Sequence, residues 1–366
     1  QSHDRGGDAV LIPGETCWRI EGARRAAVLV DGAAYFAALR SALQKARRTV
    51  FIVGWDIDSR TRLLPDGDER LSDGAPNRLG ELLAHVSKQH PALKIHVLLW
   101  DYSVLYALER EPLPSVNLNW KTPAAVRVCL DDVLPMGASH HQKLVVVDDA
   151  VAFCGGLDLT IRRWDRSAHR PDDPDRVDPL GEPYDPFHDM QMVVDGDAAA
   201  ALGALARDRW ADAACEDPVA VDPTGDPWPD DVSADFTDPR IGIARTLPAL
   251  HDRSEVREVE ALYLRSIQAA ERRIYIENQY LTTDRVAEAL IERLHANPDL
   301  EVLIIGPRQP DGWIEARTMG VGRLRFARRL EKAGVADRVR LVYPSVGDGA
   351  KPVMVHAKLS IVDDRF

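Results

Sequence analysis

Apolar residues along the first half of the chain recur with two periods, which predict alternating helices and buried strands. Residues 31–48 carry apolar side chains at helical spacing, and Asp31 at their start is a residue type that caps helices. The β-branched run at 50–53 is typical of a buried strand. By the same patterns we predict a helix at 79–90 and strands at 93–100, 126–130, 144–147 and 189–194.

The second half repeats this order of elements. A predicted helix at 255–270 leads into the apolar run 274–276, and further strands are predicted at 300–305 and 339–343. Strands that alternate with helices predict an α/β fold with mixed sheets. The duplication predicts two α/β/α lobes related by a pseudo-two-fold axis, with the active site at the lobe interface.

Residues 216–240 separate the two halves and show neither period. Five prolines stand there among seven Asp and one Glu, which predicts an acidic, Pro-rich linker or surface loop. We therefore assign 1–215 to the first lobe and 241–366 to the second. Carboxylates here and in 171–179 are numerous enough for a calcium site, but EF-hand-like spacing is absent, which favours a solvated loop.

Composition limits the classes of function. The 366 residues can bury a large core, and 45% hydrophobic with 28% charged residues is ordinary for a globular protein. The formal net charge of −12 argues against a general nucleic-acid binder, which would need a basic face. No run approaches the roughly 18 apolar residues of a membrane span. The scattered cysteines predict isolated thiols rather than a disulfide framework; they are Cys17, Cys129, Cys154 and Cys215.

One short pattern of a His, a Lys and an Asp occurs twice. His141-Gln142-Lys143 is followed by Asp148, and His356-Ala357-Lys358 is followed at the same spacing by Asp363. Alternate residues of a strand face the same way, so each His and Lys can meet one anionic group. A single His beside an apolar run is more often a satisfied core residue, but two copies at one spacing favour a functional motif.

The two motifs supply what cleavage of a phosphodiester requires. One imidazole can attack phosphorus and become phosphohistidine, while the other protonates the leaving alcohol and then activates water or another alcohol. Lys143 and Lys358 can stabilise the charge on the non-bridging oxygens. No metal or organic cofactor is needed for this chemistry.

At these residues the sequence resembles the phospholipase D superfamily, whose signature is the doubled His-x-Lys-x4-Asp. Further segments resemble those of its phospholipid-cleaving branch. They are Cys154-Gly155-Gly156-Leu157-Asp158, Arg163-Trp164-Asp165, Phe187-His188-Asp189 and Tyr275-Ile276-Glu277-Asn278. The resemblance covers nearly the whole chain and implies the same two-lobed fold. It also implies a phospholipase D that hydrolyses glycerophospholipids to phosphatidate and a head-group alcohol, with transphosphatidylation as a further activity.

The resemblance implies a carboxylate that orients one catalytic imidazole. Its position, after the Gly-Gly segment, is Asp189 here, although a turn or capping Asp is the rival interpretation. We assign Asp189 to His141 as the nucleophile and make His356 the acid. The matching acid for His356 would lie beyond Phe366. His188 is either a further hydrogen-bond donor or a bystander.

The remaining candidates are expected to shape or support the site. The resemblance casts Asp148 and Asp363 as structural salt-bridge partners. Gly155 and Gly156 permit a close turn under the phosphate, or form an ordinary tight turn. Candidates for the head-group end are Asp158, Glu277 and Asn278. Glu277 is equally compatible with a buried structural acid.

Three rival functions follow from the same residues. A cardiolipin-type synthase would use the same covalent step with a lipid alcohol as acceptor. A nuclease is disfavoured by the acidic charge, and an inactive membrane-binding module is disfavoured by the two intact motifs. The expected partner is a phospholipid at a membrane surface, not nucleic acid.

The resemblance also sets expectations for the context of the chain. The family continues past the second motif with a Gly-Ser-x-Asn segment, so the second lobe reads as truncated at Phe366. The chain resembles bacterial fusions in which a multi-span membrane domain follows such a domain, so a membrane domain beyond Phe366 is compatible with the resemblance. We expect a bacterial protein whose soluble domain acts at a membrane surface, in a compartment that the sequence does not specify.

Overall fold

The computed structural model describes residues 10–101, 125–135, 138–213, 218, 220–308, 313–349 and 351–366, with 313–319 as backbone only. The elements of the first half are β1 (Arg19–Gly22), β2 (Arg25–Val30), α1 (Asp31–Lys45), β3 (Thr49–Gly54), α2 (Leu79–Gln89), β4 (Lys94–Trp100), β5 (Val126–Asp131), β6 (Leu144–Val147), β7 (Val151–Gly155), β8 (Phe187–His188), β9 (Met190–Asp195) and α3 (Gly196–Asp212).

The elements of the second half are β10 (Phe236–Thr237), β11 (Arg240–Ile243), β12 (Thr246–Leu247), β13 (Val256–Arg257), α4 (Glu258–Ala269), β14 (Arg273–Asn278), α5 (Asp284–Ala296), β15 (Glu301–Ile305), α6 (Trp313–Lys332), β16 (Val339–Val342), β17 (Ser345–Val346), β18 (Lys351–Pro352), β19 (Met354–Val355) and β20 (Lys358–Val362). Among the described residues, no helix combines the length and apolar character that crossing a membrane requires.

The first lobe is built on an eight-stranded mixed sheet. Its strands stand in the order β10-β2-β9-β7-β6-β3-β4-β5, in which β3, β4 and β5 are parallel and β6 runs antiparallel to β3. Helices α1 and α2 bury Leu39 and Leu82 against one face. Helix α3 covers the other face, where Trp210 packs edge-on against Phe51. The mixed α/β fold that the sequence predicts is therefore confirmed.

The second lobe repeats the centre of that sheet. Its strand order is β16-β15-β14-β20, again with three parallel strands and an antiparallel motif strand. Val50 stands opposite Val147 in the first lobe, and Ile274 stands opposite Val362 in the second. Because Val147 and Val362 each precede the Asp of their motif, the two motifs occupy equivalent positions. The described helices α4, α5 and α6 cover one face of this sheet.

The acids that end the two motifs bind backbone, not side chains. Asp148 accepts hydrogen bonds from the backbone N–H groups of residues 47, 48 and 49, at 2.7–2.8 Å. Asp363 accepts the equivalent three from residues 271, 272 and 273, at 2.6–2.8 Å. The expectation of salt-bridge partners is wrong: each carboxylate fixes the start of the central strand beside its motif, because three N–H groups converge on it.

We expect Asp363→Asn to lower the free energy of unfolding by about 1–3 kcal/mol, since the buried N–H groups would lose a charged acceptor. Burial raises the pKa of Asp363, but the three N–H groups outweigh it and hold that pKa below its ordinary value. The contribution should therefore be present near neutral pH and be lost as the solution is acidified through that lowered pKa. Chemical denaturation between pH 3 and pH 7 measures this, with exposed Asp364→Asn as the matched control.

The acidic Pro-rich stretch folds onto the first lobe. Asp226 pairs with Arg25 at 2.6 Å, and Asp230 pairs with Lys45 at the same distance. Trp228 between them is buried, and β10 adds an edge strand to the first sheet beside β2. The described part of this stretch therefore packs against the first lobe and is not a solvated loop.

The cysteines differ from the expectation of isolated thiols. Cys17 and Cys154 are free, whereas Cys129 is disulfide-bonded. For Cys129 the expectation is wrong, and Cys215 lies outside the described residues.

Candidate active site

Two short strands join the lobes and place the second motif against the first lobe. β8 pairs in parallel with β19, so that Val355 stands opposite His188. The backbone N–H of His356 donates to the carbonyl of His188 at 2.8 Å. Because Asp189 follows His188 directly, its side chain is brought to the ring of His356.

The two motif histidines meet at this lobe interface. Their ring centroids lie 6.0 Å apart with an interplanar angle of 47°. His356 is buried, whereas His141 retains an exposed surface. Both rings come just before their motif strands, which begin at Leu144 and Lys358. The separation leaves room for a tetrahedral phosphate between the rings.

Asp189 orients His356, not His141. Its Oδ2 lies 2.6 Å from Nδ1 of His356, and the carboxylate is fully buried. The assignment of Asp189 to His141 is therefore wrong, as is the expectation that the acid for His356 lies beyond Phe366. The argument that made His141 the nucleophile loses its basis, because it depended on this carboxylate.

The tautomer of His356 follows from two competing contacts. Its Nδ1 lies 2.6 Å from Asp189 Oδ2 and 2.9 Å from Lys358 Nζ. One ring nitrogen cannot donate and accept at once, and the shorter contact to a carboxylate indicates that Nδ1–H donates to Asp189. Lys358 donates instead to the carbonyl of His356 at 2.5 Å and to Gln279 Oε1 at 3.3 Å. Nε2 of His356 is thereby left with its lone pair.

Lys143 is held by a different partner. Its Nζ pairs with Asp158 Oδ2 at 2.8 Å, and both side chains are buried. Oδ1 of Asp158 accepts from the backbone N–H of Trp55 at 2.8 Å. Asp158, expected at the head-group end, is therefore engaged in fixing the motif lysine.

The electrostatics of the site favour an anion. Burial lowers the pKa of His356 well below 6.5, and Lys358 adds to the effect. Although part of His141 is exposed, loss of hydration around its ring, followed by the charges of the two lysines, lowers its pKa to about 3. Burial also lowers the pKa of Lys358 to about 7 and raises that of Asp189 to about 6. An arriving phosphate would relieve this excess of positive charge and favour a protonated imidazole.

Curated proteins similar to this chain carry the name phospholipase D. No family model matches the chain. Phospholipase D A of Dictyostelium discoideum is 25% identical over 78% of this chain and 25% of that protein. Phospholipase D zeta 1 of Arabidopsis thaliana is 35% identical over 42% of this chain and 14% of that protein. These similarities support a relationship of the chain to the phospholipase D superfamily. The chain spans less than half the length of either relative.

A solved structure shares the fold of this chain. The crystal structure of phosphatidylserine synthase from Haemophilus influenzae matches with a TM-score of 0.55 and 13% sequence identity. The match covers 93% of this chain and 76% of that one. At this identity the likeness concerns the fold alone.

The two glycines of the superfamily's Gly-Gly segment make room for neighbouring groups. A Cβ on Gly156 would lie 2.0 Å from Oδ1 of Asp189, and one on Gly155 would lie 2.3 Å from Oε1 of Gln191. Neither glycine needs positive φ, so conformational freedom is not the reason for them. Gly156 is required because the carboxylate that orients His356 occupies the space of its side chain.

We expect Gly156→Ala to lower kcat by about 10²-fold, because displacement of Asp189 by roughly 1 Å would misplace His356. Gly22→Ala is the matched control, since a Cβ there meets nothing within 4 Å. Steady-state kinetics of the two variants measures the difference. Unchanged kcat in Gly156→Ala would contradict this role.

His188 joins the two lobes through a pair of carboxylates. Its Nδ1 lies 2.7 Å from Asp31 Oδ1, and its Nε2 lies 2.8 Å from Glu277 Oε2. Burial opposes protonation, but the two acids outweigh it and raise the pKa of His188 to about 10. Asp31 does not cap α1, contrary to prediction: it has φ of 68° and directs its carboxylate to His188. Glu277 also accepts from the hydroxyl of Tyr275.

The raised pKa of His188 predicts a pH-dependent stabilisation. Its pKa in the folded protein lies above the unfolded value, so the contribution is complete below about pH 6.5 and falls as pH rises through 10. We expect the difference in unfolding midpoint between the unsubstituted protein and His188→Gln to shrink over that interval. Thermal unfolding from pH 6 to pH 10 measures it, and a constant difference would contradict the bridging role.

Asn278 and the acids of 171–179 are engaged in structure. Asn278 Oδ1 accepts from the backbone N–H of Tyr280 at 2.8 Å.

Asp173 pairs with Arg166 at 2.6 Å, and Asp178 pairs with Arg162 at 2.9 Å. Both acids are buried, so the expectation of a solvated loop is wrong here: guanidinium groups balance their charge.

Proposed function

We propose that the chain is a phospholipase D, which hydrolyses glycerophospholipids to phosphatidate and a free head-group alcohol through a phosphohistidine. The observation that carries the proposal is the pair of motif histidines, 6.0 Å apart, with a lysine beside each and a buried carboxylate on one. The names of the curated relatives support it.

The proposed reaction has two displacements at phosphorus. In the first, Nε2 of one imidazole attacks, the bond from phosphorus to the head-group oxygen breaks, and the other ring gives that oxygen its proton. In the second, the ring that gave the proton takes one from water, whose oxygen attacks phosphorus as the P–N bond breaks. An alcohol in place of water gives transphosphatidylation by the same step.

The neighbouring charges support each displacement. Lys143 and Lys358 stabilise the negative charge on the non-bridging oxygens in both transition states. The carboxylate of Asp189 stabilises the cation that His356 becomes, whether this ring attacks or holds the proton. Either order of the two rings fits this geometry, because His356 becomes a cation whether it binds phosphorus or the proton.

The test is release of choline, ethanolamine, serine and glycerol from a panel of phospholipids in mixed micelles, with phosphatidate measured alongside. We expect phosphatidate in amounts equal to the released alcohol, and a phosphatidyl alcohol when a primary alcohol is added. A product formed only with a second lipid as acceptor would favour a synthase. Cleavage of DNA without cleavage of any lipid would favour a nuclease.

A further inference from the structure

A groove of about 1100 Å³ opens between the lobes beside the histidine pair. Arg163 and Phe187 line its first-lobe wall, and Arg308 and Met354 line its second-lobe wall. The ring centroid of Phe187 lies 5.6 Å from that of His356, so the groove begins next to a catalytic ring. A group bonded to a phosphate between the histidines can extend into it.

Most charges along this groove are already balanced by neighbours. The pairs are Arg162 with Asp178 at 2.9 Å, Arg176 with Asp165 at 3.0 Å, Lys351 with Asp172 at 2.9 Å and Asp173 with Arg166 at 2.6 Å. Within the described residues no carboxylate pairs with Arg163 or Arg308, and no cation pairs with the exposed Asp185. The groove therefore presents two unbalanced guanidinium groups against one exposed acid.

Two aromatic rings at or near the groove, those of Phe187 and Tyr343, each have one of these guanidinium groups beside a face. Arg163 lies over the ring of Phe187 at 4.8 Å, and Arg308 lies 5.6 Å from the ring centroid of Tyr343. A quaternary ammonium such as choline binds to free aromatic faces and would here meet like charge. Acyl chains are disfavoured as well, because they would desolvate the guanidinium groups without compensation.

We infer that this groove binds the head group and selects one that carries an anion, either a carboxylate or a second phosphate, over choline. The inference rests on the proposed function, since it takes the groove as the head-group end of that site. An Arg fork binds a carboxylate or a phosphate through paired hydrogen bonds. In a chain of net charge −12, a local excess of cations also attracts an anionic group to this place.

The test uses short-chain phosphatidylserine and phosphatidylcholine below their critical micelle concentrations, so that surface charge does not contribute. We expect kcat/KM to be about tenfold higher for the serine lipid, the effect of roughly one charge-assisted hydrogen bond. Arg308→Gln should remove most of this preference, because it should lower kcat/KM for the serine lipid more than for the choline lipid. Arg340→Gln, on an exposed position of β16, changes the net charge equally and is the matched control.

Two results would overturn the inference: equal or higher kcat/KM for choline, or an equal loss for both lipids in Arg308→Gln. Calorimetry with glycerophosphoserine, a glycerophosphoinositol phosphate and glycerophosphocholine tests binding without turnover, and its first two arms distinguish a carboxylate from a second phosphate. If the two anionic head groups bind selectively and Arg308→Gln abolishes that binding, the inference about the groove is supported. If in addition no lipid is cleaved, only the proposed function is refuted. Equal binding of all three would refute the groove alone.

Discussion

Replacing His141 or His356 by alanine is expected to lower kcat for head-group release by about 10³-fold or more, because each displacement needs both rings. The double variant should be little worse than either single variant, since the two groups act as one unit. The pairing of β8 with β19 through backbone groups does not depend on either ring, so both variants should stay folded, although His356→Ala removes the contact with Asp189. Initial rates on a micellar lipid, with circular dichroism of each variant, measure this.

Retention of more than a few per cent of activity in both single variants would contradict the paired mechanism. His295 offers a matched control, because it is an exposed imidazole on α5 whose Nε2–H donates to the backbone carbonyl of Ala333 in the same lobe. We expect His295→Ala to keep kcat close to that of the unsubstituted protein.

Asp189→Asn is expected to lower kcat by about 10²–10⁴-fold, because an amide can neither stabilise a cationic His356 nor enforce its tautomer. Burial raises the pKa of Asp189 to about 6, so the unsubstituted protein should also lose activity as pH falls through that value. A protonated Asp189 resembles the Asn variant in charge. The acidic limb of the pH–kcat profile should therefore be absent from Asp189→Asn.

Asp197→Asn, an exposed substitution in the first turn of α3, is the control for this prediction. A kcat in Asp189→Asn within a fewfold of the unsubstituted value would show that the 2.6 Å contact with His356 is structural only. A retained acidic limb would assign that titration to another group.

The sequence predicts the elements that carry a strong period and the motif residues that are repeated. The β-branched run at 50–53 becomes β3, and its repeat at 274–276 becomes the centre of β14. The doubled spacing of His and Lys also predicts that the two halves meet, because neither motif alone supplies two rings. These signals are local or repeated, so they are visible without coordinates.

The partner of Asp189 could not be predicted in this way. It is decided by the pairing of β8 with β19, two strands of two residues each, which have no measurable period. The prediction that Asp31 caps α1 was wrong for a related reason, because an acid at the start of a helix is ordinarily explained as a cap. Only the tertiary fold brings His188 to it, and then Glu277 from the other lobe.

The role of Gly156 was hidden for a third reason. Adjacent glycines suggest an unusual backbone turn, but here the cause is the volume of the Asp189 carboxylate. Similarly, Asp148 and Asp363 suggested salt bridges, whereas three converging N–H groups satisfy each of them. The sequence indicates that Gly156, Asp148 and Asp363 have a defined role. Which atoms they contact depends on tertiary packing.

The covalent mechanism is tested most directly by trapping the intermediate. The protein would be quenched in acid-free conditions during turnover of a short-chain, slowly hydrolysed phospholipid, and its peptides analysed by mass spectrometry for an added phosphatidyl group. We predict the adduct on His141 or His356 and on no other residue, with its loss when water or an alcohol is allowed to react. Turnover with no adduct on either ring, under conditions that preserve a phosphohistidine standard, would contradict the account and indicate direct attack by water.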